Sequence, residues 1–260
     1  MESRKILSPM ITFVSARKKR SRKAGSRRKF PSKLGARLRN GIYYGFLAFA
    51  FSSIMICALL RWTPPPSSAF MLFRHVEDMV KNRIWRPIDY QWVSSEQISP
   101  NAYRAVIASE DQRFFQHSGF DLQSIQSSID IYIDGGRLRG ASTISQQVAK
   151  NLFLNPSKSI LRKGFEVWFT LLIELLWSKE RILTVYLNIA EFGDHVFGIQ
   201  AASRHYFGIP ANNLSRPQAA LLAASLPNPL RLKVARPSGY LIERQHWILR
   251  QMRNIAYPLR

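Results

Sequence analysis

Glu110 and Asp111 stand side by side in the segment SEDQRFFQHSGFD, with Arg113, His117 and Asp121 close behind. A carboxylate at the end of an apolar helical run can serve as a general base or acid where a cleft receives it. Neighbouring residues on a helix point about 100° apart, so only one of the two acids can face a given cleft. The bland alternative is a solvated helix end with Arg113 as ion-pair partner, and an isolated Glu-Asp pair reads that way. His117 alone reads as a hydrogen-bonded structural residue, because no HExxH or comparable ligand spacing occurs in the chain.

A second cluster lies in GASTISQQVAKNLFL, from Gly140 to Leu154. It has the form of a helix start behind a glycine, with Ser142 or Thr143 as the cap. Gln147, Lys150 and Asn151 fall at i, i+3 and i+4 and share a face, while Val148 and Leu152 share another that suits a core. A capped start with hydroxyls, and a lysine further in, could hold a phosphate. An ordinary amphipathic helix is the competing reading, weakened by two adjacent Gln side chains that need partners.

The third cluster is Lys158, Arg162, Lys163 and Glu166, which leads into VWFTLLIELLW. Arg162 and Glu166 at i, i+4 would form a surface ion pair worth only ~0.3–0.5 kcal/mol. The run from Phe165 to Trp177 is apolar on nearly all sides, too short for a membrane span and interrupted by Glu166 and Glu174. It reads as a central buried helix. A Glu at its entry, flanked by bases, is a candidate functional acid.

These clusters need helices to present them. Ser99-Pro100 is an N-cap followed by Pro at the first helical position, and Ala102, Val106, Ile107 and Phe114 mark a buried side. Ile84 to Ser95 is aromatic-rich and broken by Pro87, hence extended or irregular. Phe70, Met71, Phe73, Val76 and Met79 suggest a juxtamembrane helix behind a stiff Pro64-Pro65-Pro66 spacer. No convincing series of alternating strands is present, so the fold class is mainly α.

The chain has 260 residues, 46% of them hydrophobic, with 38 Lys or Arg against 16 Asp or Glu for a net charge of +22. That apolar fraction excludes a wholly disordered chain. A single cysteine, Cys57, excludes an internal disulfide framework and a multi-cysteine zinc site. The charge points to nucleic acid, an anionic membrane face or phosphate-bearing ligands. Its distribution decides: residues 1–40 hold 14 bases and one acid, Glu2, in a tail without periodicity that is expected to be disordered.

Gly41 to Leu60 then runs for 20 residues without a charge. At ~1.5 Å per residue it spans about one hydrocarbon core. Bases abut one end and Arg61-Trp62 with three prolines close the other, which favours an uncleaved anchor over a buried helix or a cleavable signal. Eight Lys/Arg lie in positions 21–40 and two in 61–80, so the positive-inside rule puts the N-terminus in the cytoplasm and residues 61–260 outside. Beside a span, the basic tail reads as a topology determinant touching anionic lipid rather than a nucleic-acid arm. With Cys57 in the span, the outer domain carries no thiol to mispair. The expected organisation is a tail over 1–40, an anchor over 41–60, a linker and juxtamembrane segment over 61–84, and a catalytic domain over 85–255.

Taken in order, EDxxFxxHxGxD at Glu110–Asp121, GxSTIxQQxxKN at Gly140–Asn151, RKxxE at Arg162–Glu166 and KxRILxxYLN at Lys179–Asn188 resemble the ordered motifs of peptidoglycan glycosyltransferases. FGxxxxGIQAASRxYFG from Phe192 and LSxxQAALLAASLPNP from Leu214 extend the resemblance over roughly residues 85–255. No transpeptidase module follows, so the resemblance is to the monofunctional branch. It implies a lysozyme-like, mainly α domain with a large lobe, a smaller membrane-contacting lobe and a cleft between them.

The reaction it implies is polymerisation of glycan strands from lipid II, with inversion and loss of undecaprenyl pyrophosphate. Such a reaction needs a base for the attacking hydroxyl, negative charge near an oxocarbenium-like centre, and cations or a metal for the pyrophosphate. The resemblance assigns Glu110 as base and Glu166 as the second acid. It offers Lys150, Arg162 and Lys163 as pyrophosphate cations, and Arg113, Ser142, Gln147 and Asn151 as further substrate contacts. Lys158 stands where many members have Arg, which keeps the charge and loses the bidentate fork. Tyr186 and Asn188 are expected to be scaffolding. No tightly bound cofactor or dedicated metal ligand is expected, with Mg or Mn assisting the pyrophosphate left open. Expected partners are lipid II, the growing lipid-linked strand, lipids of the bacterial inner membrane, and cell-wall synthesis or division proteins, but not nucleic acid. Two other classes compete. A membrane-anchored muramidase or lytic transglycosylase has a neutral leaving group and no use for the cationic cluster. A non-catalytic scaffold binding through its tail leaves the motifs unexplained.

Overall fold

Ser99 accepts a hydrogen bond from the Asn101 amide, and Pro100 opens the helix behind it as the sequence expects. In the computed structural model, which describes residues 32–81, 84–136, 140, 142–157 and 159–255, this helix is α3 of ten. The helices are α1 (Ser32–Leu60), α2 (Ala69–Lys81), α3 (Pro100–Glu110), α4 (Leu122–Ile133), α5 (Ile144–Phe153), α6 (Ile160–Leu176), α7 (Lys179–Ile189), α8 (Ile199–Phe207), α9 (Arg216–Ser225) and α10 (Gly239–Gln251). Side-chain caps from Asp121, Thr143, Ser159, Ser178, Ser215 and Ser238 start six of them, each satisfying an amide that the first turn leaves free. Three short strands, β1 (Asp89–Tyr90), β2 (Glu191–Gly193) and β3 (Val196–Phe197), form a sheet ordered β1-β3-β2. β1 runs parallel and β2 antiparallel to β3. The segment from Ile84 to Ser94 is thus irregular apart from the one strand it contributes, and Ser95 opens a short 3-10 turn.

The central helix is α7, not α6. Every residue from Ile182 to Ile189 is buried. Its polar members are satisfied inside: Asn188 Nδ2 donates to the Val93 and Thr184 carbonyls, its Oδ1 accepts from the Val93 amide, and Thr184 meets the Tyr103 hydroxyl at 3.0 Å. Gly198 follows with φ +85°, and a Cβ there would lie 2.5 Å from the Asn188 carbonyl oxygen.

α6 buries Phe169, Leu172 and Ile173 against the core but leaves Leu171 and Leu175 largely exposed. Its all-round apolar sequence has a second cause. Trp168 Nε1 donates to Ser53 Oγ at 3.0 Å, Trp177 Nε1 donates to the Cys57 carbonyl at 2.7 Å, and Phe49 packs edge-on to Phe165. So the half of α1 from Ala48 onward packs with α6 in the unit that runs to Arg260, while residues before it form a separate unit.

Helix α1 begins at Ser32, nine residues before the uncharged stretch, so residues 32–40 are helical where a disordered tail was expected. Ala36, Arg37, Leu38 and Arg39 are good helix formers and supply the propensity. Gly35–Leu60 is long and apolar enough to cross a membrane, with mean hydropathy 1.9. The tail before it lies outside the described residues.

The expected juxtamembrane helix is α2, fixed rather than loosely linked. Arg74 meets both oxygens of Glu191 at 3.0 and 2.9 Å, and His195 Nε2 lies 2.6 Å from Asp78. α9 packs between α3 and α10, and α5 lies against α6 and α7. These contacts bring α3, α5 and α10 around one cleft, with α6 packed on α5.

Candidate active site

α3 ends on Glu110, and the chain turns away at Asp111, whose backbone is extended. The two acids diverge as adjacency requires. Asp111 points inward, accepting from the Ile144 amide at 3.1 Å and lying 3.0 Å from His117 Nε2. It ties the end of α3 to the start of α5, and His117 is structural as expected. Glu110 faces the cleft. Its Oε2 accepts from Gln147 Nε2 at 2.9 Å and its Oε1 from Ser109 Oγ at 3.2 Å.

Gln147 is itself held, because its Oε1 accepts from the Tyr186 hydroxyl at 3.1 Å. Tyr186 is fully buried, and burial, with Glu110 adding to it, pushes its phenol well above the usual range. It therefore stays a donor, and the chain Tyr186–Gln147–Glu110 orients the carboxylate. Tyr186 does more than scaffold the core. The partners required by the adjacent glutamines are accounted for, since Gln146 closes a capping box with Thr143.

The cap is Thr143, not Ser142. Its hydroxyl donates to the Gly119 carbonyl and accepts from the Gln146 amide, and Asp111 takes the Ile144 amide. The Thr143, Ile144 and Gln146 amides at the helix start are thereby taken by side chains of the protein itself. Ser142, exposed, lines the cleft beside Glu110.

Lys150 lies one turn beyond Gln147. Burial lowers its ammonium below the usual lysine range, with Arg162 and Lys163 pushing the same way, while Glu166 and Glu110 oppose the shift. Lys150 thus feels both candidate acids. Its Nζ lies 5.5 Å from the Phe70 ring centroid, within cation–π range. Asn151 beside it has a buried Oδ1 with no hydrogen-bond partner.

Glu166 is 3% exposed and meets Arg162 NH1 at 2.7 Å and Lys163 Nζ on its other oxygen. The Arg162–Glu166 pair is therefore buried on the acid side, not the surface pair its spacing suggested. Arg162 Nε is buried without a partner. Arg113 is held by Gln116, Gln123 and Asp121, beside a neighbouring cavity of about 400 Å³ that Glu110 also lines. It does not join the Lys150–Glu166 group. Lys158 lies outside the described residues.

Among the described residues, Asp111, His117 and Asp121 bring ligand atoms within 4.8 Å of one another, a spacing that could hold a metal ion. Their oxygens are already engaged: Asp111 by Ile144 and His117, Asp121 by the Ser124 amide and hydroxyl.

One wall was absent from the sequence reading. Tyr240, Glu243, Arg244 and Trp247 of α10 line a cavity of about 760 Å³ together with Glu110 and Gln147. Their i, i+3, i+4, i+7 spacing was a signal, but an aromatic stripe at that period usually marks a core face.

A held carboxylate lining a polar cleft, with cations gathered around a second acid on the helix packed against α5, suits transfer of a sugar from a phosphate-bearing donor. The family model described as Transglycosylase matches residues 78–253. The chain belongs to the transglycosylase family. Relatives named "Biosynthetic peptidoglycan transglycosylase" support this. One from Pseudomonas putida (strain W619) is 51% identical over 229 residues, covering 87% of this chain and 94% of the relative. One from Shewanella oneidensis is 51% identical over 210 residues, covering 81% and 89%. One from Chromohalobacter salexigens is 50% identical over 222 residues, covering 84% and 94%. The transglycosylase domain is lysozyme-like, as the sequence motifs imply, and its activity is glycosyl transfer.

Proposed function

We propose that this transglycosylase polymerises peptidoglycan strands from lipid II, with Glu110 as general base and the cations around Glu166 receiving the pyrophosphate. The 4-hydroxyl of the acceptor's GlcNAc gives its proton to Glu110 as its oxygen bonds to the anomeric carbon of the donor's MurNAc. The bond from that carbon to the pyrophosphate oxygen breaks, and undecaprenyl pyrophosphate leaves with the electron pair. One in-line displacement inverts the α-linked donor to a β-1,4 bond.

The observation that carries this reading is the position of Lys150, half-buried on α5 and acted on by both Glu110 and Glu166. It stands between the base and the two cations paired with Glu166 in its electrostatic surroundings. A cleaving enzyme expels a neutral sugar and gains nothing from such charge. Lys150, Arg162 and Lys163 stabilise the departing phosphates, and fixed charges in a water-poor site are worth more than in bulk solvent. Glu166 holds Arg162 and Lys163 in place and supplies negative charge near the reacting centre. Gln147 orients the base, while Ser142 and Asn151 offer hydrogen bonds to sugar or phosphate. Arg113 is an outlying contact, and Lys158 is kept as a candidate phosphate contact from its place in the sequence alone. No tightly bound cofactor belongs to this reading. A loosely held Mg²⁺ or Mn²⁺ would add to the same charge on the pyrophosphate, and both Glu166 oxygens are already engaged by Arg162 and Lys163.

The enzyme works on lipid-borne substrates at the bacterial inner membrane, anchored by α1 with its N-terminus in the cytoplasm and residues 61–260 in the periplasm. The eight bases in positions 21–40 support that orientation. Exposed apolar residues on α2 (Val76, Val80), α4 (Ile129, Ile133) and α6 (Leu171, Leu175) suit contact with lipid. Cell-wall synthesis or division proteins are its expected partners, and nucleic acid is not. A paired measurement tests the roles of the acids: Glu110→Gln should abolish turnover while keeping affinity for a pyrophosphate-sugar analogue, and Glu166→Gln should weaken both. Activity of Glu110→Gln within a few-fold of wild type would remove Glu110 from the base role.

A further inference from the structure

We propose that α10 builds a saccharide subsite of this cleft, in which Tyr240 and Trp247 pack against a neutral amino-sugar ring and Arg244 hydrogen-bonds to its polar groups. The inference rests on the glycan-polymerase reading and deepens it.

Leu241 and Ile248 bury one side of α10, and Gln245 donates to the Pro217 carbonyl at 2.8 Å, so the helix is anchored towards α9. The stripe formed by Tyr240, Glu243, Arg244 and Trp247 is left to line the cavity of about 760 Å³ beside Glu110. Tyr240 is 58% and Trp247 38% exposed, so neither aromatic is spent on the core. Large aromatics that keep an open face beside a few convergent polar groups are the usual make-up of a ligand pocket. Pyranose rings present a flat C–H face that packs on such aromatics, while hydroxyl and acetamido groups at their edge need donors and acceptors.

Arg244 supplies the donors. Its NH2 lies 3.9 Å from Glu110 Oε1, too long for a direct hydrogen bond, and its Nε is buried with no partner. A buried guanidinium nitrogen without an acceptor is costly, and a ligand carbonyl or hydroxyl would satisfy it.

Charge sets the ligand class. Lys150, Arg162 and Lys163 gather around Glu166, whereas the α10 side sets one base, Arg244, against two acids, Glu110 and Glu243. An anionic ligand is disfavoured there and a neutral one accepted. In-line inversion requires the same division: the leaving pyrophosphate and the attacking hydroxyl lie on opposite sides of the anomeric carbon. The ligand chemistry is thus a β-1,4-linked N-acetylated amino sugar, carried by either the incoming acceptor or the growing strand.

The test uses the full-length protein in detergent, with a β-1,4-linked N-acetylglucosamine tetrasaccharide that carries neither lipid nor pyrophosphate. Trp247→Ala should weaken its binding about tenfold and raise a KM by a similar factor, with kcat within about twofold of wild type, as losing one well-packed contact predicts. Trp247→Phe should restore most of the affinity. Arg244→Ala should act in the same direction, with only partial recovery in Arg244→Lys. Varying lipid II against a fixed lipid-linked tetrasaccharide, and the reverse, separates the sources. A raised KM for lipid II identifies the acceptor, and a raised KM for the primer identifies the growing strand; either supports the subsite. If Trp247→Ala fails to fold, Tyr240→Ala, at a more exposed position, takes its place. A folded variant with unchanged tetrasaccharide binding and both KM values unchanged, in an enzyme whose wild type polymerises, overturns the subsite. A wild type that binds the tetrasaccharide through Trp247 but does not polymerise overturns the polymerase reading alone.

Discussion

Glu110 reaches the cleft because α3 ends on it, and Gln147, held by Tyr186, fixes which way its carboxylate points. Replacing it by Gln keeps the shape but removes the proton acceptor, so turnover should fall about 10²–10⁴-fold with little change in melting temperature. Single-turnover rates and a thermal melt on the same preparation check this. Lys150 carries the opposite trade. Burial lowers its ammonium, so the folded state binds this proton less tightly than the unfolded chain does. That penalty is present at neutral pH and fades as pH rises from the lowered folded value through the ordinary one. Lys150→Met should therefore raise the melting point at pH 7, by roughly 2–4 °C for ~1 kcal/mol in a domain of this size. Turnover should fall on the order of 10²–10³-fold. In the wild type, rate should decline as pH climbs through the lowered lysine range, earlier than an ordinary lysine would dictate, and a rate–pH profile reads this directly. A lower melting point for Lys150→Met would mark the residue as structural. The divergence of Glu110 and Asp111 was legible from adjacency alone. Arg244 and Trp247 were not, because nothing local shows that α10 packs beside the end of α3.

Among the elements, α7 is the one on which the cleft is hung. It buries Tyr186 beneath Gln147, and Asn188 clamps both backbone groups of Val93. Asn188→Ala would leave that buried amide and carbonyl unpaired, costing roughly 2–4 kcal/mol. Chemical denaturation should show a lower midpoint with an unchanged slope, and a loss below about 0.5 kcal/mol would contradict the clamp. The helices themselves were legible: caps such as Ser99 and the 3.6-residue spacing of Val148 and Leu152 are local signals. Which helix lies at the centre was not. α6 is the more apolar in sequence, yet part of that surface meets Ser53, Cys57 and Phe49 and part is left exposed. α7 carries Thr, Tyr and Asn and looks less central, because buried polar groups are tolerated once they are hydrogen-bonded. The short sheet was missed for a related reason, since its strands are too short for an alternating pattern.

At the scale of the molecule, charge and hydropathy divide the chain as the chemistry requires. A basic N-terminal segment precedes a helix able to span a membrane, and the transglycosylase domain follows it. A reporter that works only outside the cytoplasm, fused after Arg260, should be active, and one fused before the helix inactive; the reverse pattern would overturn the topology. The apolar helix was legible because it rests on composition, whereas the packing of α2 and of the part of α1 after Leu47 onto the domain depends on distant pairs such as Trp177 with Cys57 and Arg74 with Glu191. The central claim is that base and cations act together to build glycan strands. The most direct test incubates the full-length protein in lipid vesicles with labelled lipid II, separates the products by size, and in parallel offers a preformed lipid-free glycan. The account predicts a ladder of long strands with release of undecaprenyl pyrophosphate, no cutting of the preformed glycan, and loss of the ladder in both Glu110→Gln and Lys150→Met. Shortening of the preformed glycan, with no polymer from lipid II, would contradict it.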